Sequence, residues 1–560
     1  MGGLSLVLPV WGLWLPALVA APVAQDPAPA MVQARTPEGR TIFLRLQFKK
    51  GLSVEGKALP RAFLARGADG GGWVPFENLT PDGKRWALAA FFPDDQWRPE
   101  EVRHRVRHAE IESVWTLAAL FTGHGQNYDR LMAENPDFPD KLREGDVWRI
   151  PRNLLSADLG GPGRGPDRTR PEDELDDESR VSAYRGLLSF DGDAQGKFAA
   201  YRLRKGEALY SSVVIRYTDR VDPKGVNELA ERIAKRSGIT DVRGIQPGQL
   251  IKIPLEYLAD PFQPEGSSQL AEEREVRAEV RRIVRVEAGP KLKGVRVILD
   301  AGHGGVDPGA RANGIWESDF VYDIAMRVRR LLEQETEAQV SSTIRYPALG
   351  FKSRESIATP SRAADILTTP PFAVDGESPT ALSVNLRWVL ANDWFAAFRQ
   401  AKGDAQKTLF LSFHADSLHP SARGSMVYVP SAALVPSAHA MGLARVGRVA
   451  EARRSARVAF SSREKLQGEA RSRQFSEALL KALQKERIPV HANRPIRNVI
   501  YRGGGKWVPA VIRYSTGATK ALVEVANLTN EEDAASLRDP DFRERYAAAV
   551  VNAIRAYYRK

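Results

Sequence analysis

Two histidines and a glutamate close apolar runs of this chain, and a second glutamate opens a helix. The runs are Val295-Arg296-Val297-Ile298-Leu299-Asp300-Ala301-Gly302-His303, Leu409-Phe410-Leu411-Ser412-Phe413-His414 and Ala521-Leu522-Val523-Glu524. Runs of this kind read as buried parallel strands, and in open α/β sheets ligands bind beyond the carboxyl ends of such strands. Between the first two, Asn313-Gly314-Ile315-Trp316-Glu317 leads into a segment in which Val321, Ile324, Ala325, Val328, Leu331 and Leu332 follow the three-four spacing of a buried helix face, so Glu317 stands at a helix start. Two imidazoles and one carboxylate suffice to hold a catalytic Zn²⁺ with one coordination position left for water. The remaining carboxylate, Glu524, is then free to handle protons.

Each of these residues also has a plain structural reading. A histidine after glycine can be a turn residue, and a glutamate in a first helical turn complements the helix dipole. The chain, however, has only eight histidines in 560 residues, and two of them close predicted strands of one predicted domain. The rival chemistry for Gly302 to Gly305 is a phosphate cradle at a helix start. That reading lacks the Gly-Lys-Ser/Thr ending of a P-loop.

Taken together, Gly302-His303-Gly304-Gly305-x-Asp307-x-Gly309-Ala310, Asn313-Gly314-x-x-Glu317, Ser412-x-His414-Ala415-Asp416-Ser417 and Val523-Glu524-Val525 with Asn530 downstream resemble the zinc-dependent N-acetylmuramoyl-L-alanine amidases of the amidase_3 family. The resemblance covers residues 294–560 and includes Arg345 and the stretch Leu386-Arg387-x-x-x-x-Ala391-Asn392. It implies an α/β catalytic domain with a mostly parallel central sheet flanked by helices, holding one Zn²⁺. It further implies His303, Glu317 and His414 as zinc ligands, Glu524 as general acid/base, and Arg345, Arg387 and Asn392 as substrate-binding residues. The implied substrate is peptidoglycan, cut at the amide between N-acetylmuramic acid and the L-alanine of the stem peptide. The chain departs from the family after Glu524, where Ala526-Asn527 replaces the usual Gly-Phe.

The elements that would carry and deliver this site lie upstream. Residues 1–24 read as a signal peptide: an apolar run from Leu4 to Ala20, then small residues before Gln25-Asp26. Export to the periplasm or cell wall follows, with no membrane span once the signal is removed. Export permits disulfides, yet there is no cysteine, so cores and bound metal must supply stability. A net charge of +12 suits an anionic envelope; the arginines are dispersed rather than striped with aromatics, which argues against nucleic acid as partner.

Residues 36–100 read as a small β-rich domain from the runs Thr41 to Phe48 and Trp86 to Phe92. A repeat follows. Glu144-Gly145-Asp146-Val147-Trp148-Arg149-Ile150-Pro151 and Pro247-Gly248-Gln249-Leu250-Ile251-Lys252-Ile253-Pro254 share a turn, an alternating strand and a closing Ile-Pro, each preceded by two helical patterns. The units 103–152 and 200–256 thus read as βααβ and resemble LysM modules, which bind N-acetylglucosamine-containing glycan. Residues 156–182 read as a flexible polar linker and 264–290 as an exposed charged connector. On this plan the modules are separate anchors that act through effective concentration.

Two insertions are expected in the catalytic domain, at 346–380 and 431–471. The Ala- and Arg-rich stretch Ala440 to Phe460 favours helix. By resemblance to division amidases, the second insertion would cover the zinc position through Glu451, Glu464 or Glu469 until a protein activator displaces it. Two other function classes fit the sequence less well. A catalytically silent wall-binding protein or amidase regulator would be expected to lack one of the four site residues, and a chitin-directed protein leaves Glu524 without a role.

Overall fold

In the computed structural model, residues 81–559 are described apart from short internal stretches, the longest being 162–175, and before residue 81 only strand segments are. The signal-peptide reading of residues 1–24 lies outside the described residues. The chain forms two compact units, divided near Gly165.

In the first unit, Ala30–Arg35, Thr41–Leu46, Leu64–Gly67 and Val74–Pro75 pair antiparallel in that order. The run Trp86 to Phe92, read as a strand from its apolar content, lies instead in or directly after the helix Pro81–Phe91. It has no alternation, and its three alanines favour helix. Next comes a βααβ arrangement in which Glu101–Arg105 pairs antiparallel with Val147–Pro151 and the helices Val114–Thr122 and Tyr128–Ala133 lie between them in sequence. Its core holds Trp148, Leu117 and Phe121, together with Leu88 of the preceding helix. His104 is fully buried there between Asp95 (3.0 Å) and Glu112 (2.7 Å). Burial alone would push this imidazole down, but its hydrogen bonds to the two carboxylates and their charges raise it to about 9.

The second unit has the helix Asp177–Arg185, whose Val181 and Tyr184 are buried and which begins within the stretch 156–182 read as linker. A second βααβ follows: Gly196–Arg202 pairs antiparallel with Leu250–Pro254, with helical residues 209–218 and the helix Pro223–Arg236 in between. Asp222 caps the latter helix through Gly225 N, and Val226, Leu229, Ala230, Ile233 and Ala234 form its buried stripe. The charged segment after it is helix α1 (Ser268–Arg282). Rather than standing free in solvent, α1 buries Glu273 against Arg473 (2.9 Å).

The catalytic-domain region is built on a six-stranded sheet: β1 (Arg296–Ala301), β2 (Gln339–Ser342), β3 (Thr408–His414), β4 (Met426–Tyr428), β5 (Ile496–Arg497) and β6 (Thr519–Glu524). The order is β2-β1-β3-β6-β4-β5, parallel throughout except where β4 runs against β6. β3 and β6 are buried along nearly their whole length, as strands covered on both faces must be. Flanking helices are α2 (Glu317–Glu335), α3 (Thr380–Gln400), α4 (Ser462–Lys485) and α5 (Pro540–Tyr557).

Both insertions have structure of their own. Ile344–Arg345, Asp365–Ile366 and Phe372–Ala373 make a small antiparallel sheet. Within 431–471 the helix expected over 440–460 shrinks to Ala450–Ser455, flanked by the paired strands Ala438–Ala440 and Arg457–Ala459. Helix formation moves to α4, which begins at Ser462 with Ser461 and Glu464 forming a reciprocal capping box.

Candidate metal and acid/base site

Parallel pairing of β3 with β1 and β6 sets three polar residues side by side at one sheet edge. His414 lies directly opposite Glu524 in the register, and β1 runs on through Gly302 to His303. Left-handed backbone at His303 (φ 60°), Gly304 and Gly305 curls the chain back over the strand ends. Two glycines make room for the ligands. A Cβ on Gly302 would stand 2.4 Å from the His414 ring, and one on Gly309 would meet Glu317 Oε2 at 2.5 Å.

The first turn of α2 brings in Glu317. His303 Nε2 lies 3.2 Å from its Oε2, and His414 Nδ1 lies 2.8 Å from its Oε1. Ligand atoms of the three residues fall within 4.8 Å of one another, and among the described residues they form the one His/Cys/Asp/Glu group of this kind. Backbone amides of Ala310 and Ala415 donate to the two Glu317 oxygens, fixing the carboxylate. Burial opposes its ionisation, but both imidazoles hold Glu317 well below the usual carboxylate range. His303 is likewise raised to about 10, because the charge of Glu317 and the hydrogen bond to Asp307 outweigh burial.

Asp307, within the glycine-rich motif, has a role that its residue type alone does not reveal. Its Oδ2 accepts at 3.0 Å from His303 Nδ1, which leaves Nε2 facing Glu317. Its signal was its place four residues after the histidine. This donor set, two nitrogens and one carboxylate with a carboxylate behind one imidazole, fits a divalent cation such as zinc.

Glu524 is buried beside the cluster and accepts from Asp416 N at 2.9 Å. Burial first, then the negative charges of Asp416 and Glu317, push its carboxyl well above the usual range. A carboxyl whose proton affinity is raised in this way is suited to exchanging a proton with a reacting group.

The remaining predicted residues fall elsewhere. Arg345, partly exposed, pairs with Asp365 at 3.3 Å. Arg387 is not in a position to bind substrate: it is 3% exposed beneath the histidine loop, paired with Asp300 at 2.7 Å and donating to the carbonyls of Ala301 and His303. Asn392 is also buried, holding Tyr514 O and Thr516 N. The three candidate inhibitory glutamates do not join the cluster. Glu451 accepts from the amide and hydroxyl of Thr369, Glu464 caps α4, and Glu469 is buried against Arg473, Asn498 and Ala432 N.

An α/β domain whose central strands end in two imidazoles and a buried carboxylate, with a further glutamate opening the adjacent helix, brings together groups that could hold a metal ion beside one that could exchange a proton. Residues 297–368 and 374–556 match the family model described as N-acetylmuramoyl-L-alanine amidase, so the C-terminal part of the chain carries that family's pattern. An endolysin of Bacillus phage SPP1 is 51% identical over 47 residues, which are 8% of this chain and 17% of the endolysin. The chain therefore matches only about a sixth of the length of that curated relative. Among solved structures, the N-acetylmuramyl-L-alanine amidase Ami1 from Mycobacterium smegmatis is 19% identical, with 48% of this chain and 98% of that one covered at a TM-score of 0.28. The catalytic domain of CwlV, an N-acetylmuramoyl-L-alanine amidase from Bacillus (Paenibacillus) polymyxa var. colistinus, is 20% identical over 47% of this chain and 97% of its own, at 0.27.

Proposed function

We propose that the protein is a peptidoglycan hydrolase, cleaving the amide between N-acetylmuramic acid and the L-alanine of the stem peptide. The observation that carries this reading is the His303, Glu317 and His414 cluster with buried Glu524 next to it, inside the part of the chain that matches the amidase family. His303, Glu317 and His414 would hold one zinc ion, which when bound polarises a scissile carbonyl and makes water more acidic.

This chain's own residues do the rest. Asp307 fixes the ring of His303, and the amides of Ala310 and Ala415 keep Glu317 in place. Glu524 takes the proton of the attacking water and delivers it to the departing alanine nitrogen, without which that amine leaves poorly. Its raised proton affinity suits the second half of that exchange. The Asp416 amide holds the carboxyl in position throughout.

The two βααβ units are assigned to glycan binding, supported by their strand-helix-helix-strand order. Such a substrate calls for export to the periplasm or cell wall, in keeping with the apolar run from Leu4 to Ala20. No helix of the described residues is long and apolar enough to cross a membrane. The test is incubation of the purified protein with sacculi. Free stem peptides with an L-alanine amino terminus should appear, cease with a chelator and return with added zinc; release of reducing sugar ends without free stem peptide would overturn the reading.

A further inference from the structure

Loop 415–424 leaves β3 directly after His414 and carries two backbone amides into the site. Ala415 N donates to Glu317 Oε1 (3.0 Å) and Asp416 N to Glu524 Oε2 (2.9 Å). On one side the loop is tied by Asn527, which accepts from Leu418 N and donates to the carbonyls of His419 and Ala422. Asn527 is one of the two residues by which the chain departs from the family after Glu524.

The second βααβ unit supplies the other tie. Leu418, Ala422 and Met426 are buried in one core with Leu209, Val213 and Val221 of that unit. His419 N donates to Val221 O at 2.7 Å, and the His419 ring stacks on Tyr210, 5.8 Å between centroids and 9° from parallel. Two residues before Val221, buried Asp219 pairs with both Arg494 and Arg497, themselves buried. Removing one partner from such a set leaves a charge uncompensated in the interior. The attachment is therefore specific and costly to break.

We infer that the second βααβ unit is a fixed part of the catalytic site: it clamps loop 415–424 and so holds the Asp416 amide on Glu524. Tyr210 and Asp219 are positioning residues that act through the loop. The alternative, a tethered anchor, requires a unit with its own closed core, whereas this core continues into the catalytic domain. The inference rests on the amidase reading for its activity measurement only.

The test uses the full-length protein with Asp219→Asn and, as a gentler change, Tyr210→Ala. Hydrolysis of a small soluble muropeptide, zinc content and hydrogen exchange of residues 415–424 are measured together. In both variants exchange of the loop should rise and kcat per zinc-loaded molecule should fall, by about 10-fold or more where misplacement approaches 1 Å, with KM little changed. A merely structural role would lower the yield of folded protein but not kcat per loaded molecule. Unchanged kcat alongside faster loop exchange would overturn the inference, and so would unchanged exchange in both variants. If the wild-type protein hydrolyses no muropeptide, the amidase reading fails by itself, and loop exchange still decides whether the clamp exists.

Discussion

Burial first, then the negative charges of Asp416 and Glu317, raise the proton affinity of Glu524, and the role proposed for it is to carry a proton rather than to bind metal. Glu524→Gln keeps the shape and removes the basic oxygen. Zinc content should stay at the wild-type level while kcat drops by at least ~10²-fold, and a variant keeping more than about a tenth of the rate would refute the role. Arg387 allows a sharper distinction. Because it anchors Asp300 and two carbonyls of the histidine loop, Arg387→Ala should cost about 3–5 kcal/mol in denaturant unfolding, as for other buried pairs broken on one side. Were it a substrate contact, stability would hold and KM would rise. The clustering of His303, Glu317 and His414 near Glu524 was legible because each of the four sits where an apolar run stops or a helix starts. Arg387 and Asn392 were not, since a motif fixes residue type but not whether the side chain points out of the cleft or beneath it.

Among the elements, the strand pair around His104 has a built-in pH dependence. Asp95 is held above its ordinary value because burial outweighs the pull of the imidazole, yet two carboxylates on one buried ring still favour its charged form. With a folded value of about 9 against about 6.5 unfolded, the histidine contributes stability that is full below pH ~6.5 and is lost as pH rises through 9. Protection of Glu101–Arg105 amides against exchange should therefore weaken between about pH 6.5 and 9; protection that strengthened over that range would contradict it. The central strands were readable as apolar runs, and α2 from its spacing. The run Trp86 to Phe92 was misread because a short apolar stretch has the same content in either state. In 440–460, propensity for helix yielded to the pairing of Ala438–Ala440 with Arg457–Ala459. A capping box at Ser461 and Glu464 was present in the sequence and would have marked the true start of α4.

At the scale of the molecule, the shared core and the buried Asp219 set make the second βααβ unit and the catalytic region one cooperative body. Calorimetry should show residues 196–254 melting in a single transition together with residues 296–560; a distinct early transition localised to 196–254 would contradict this. None of that docking was visible in the sequence, because Asp219 meets partners 275 and 278 positions away and nothing local marks them. The same attachment bears on how such a chain can be rebuilt by recombination. A bead-like module can be swapped between genes wherever its linkers fall, but a crossover between residues 254 and 296 would leave Arg494, Arg497 and Met426 facing a stranger. The second βααβ unit is therefore expected to be exchanged together with residues 296–560 rather than alone.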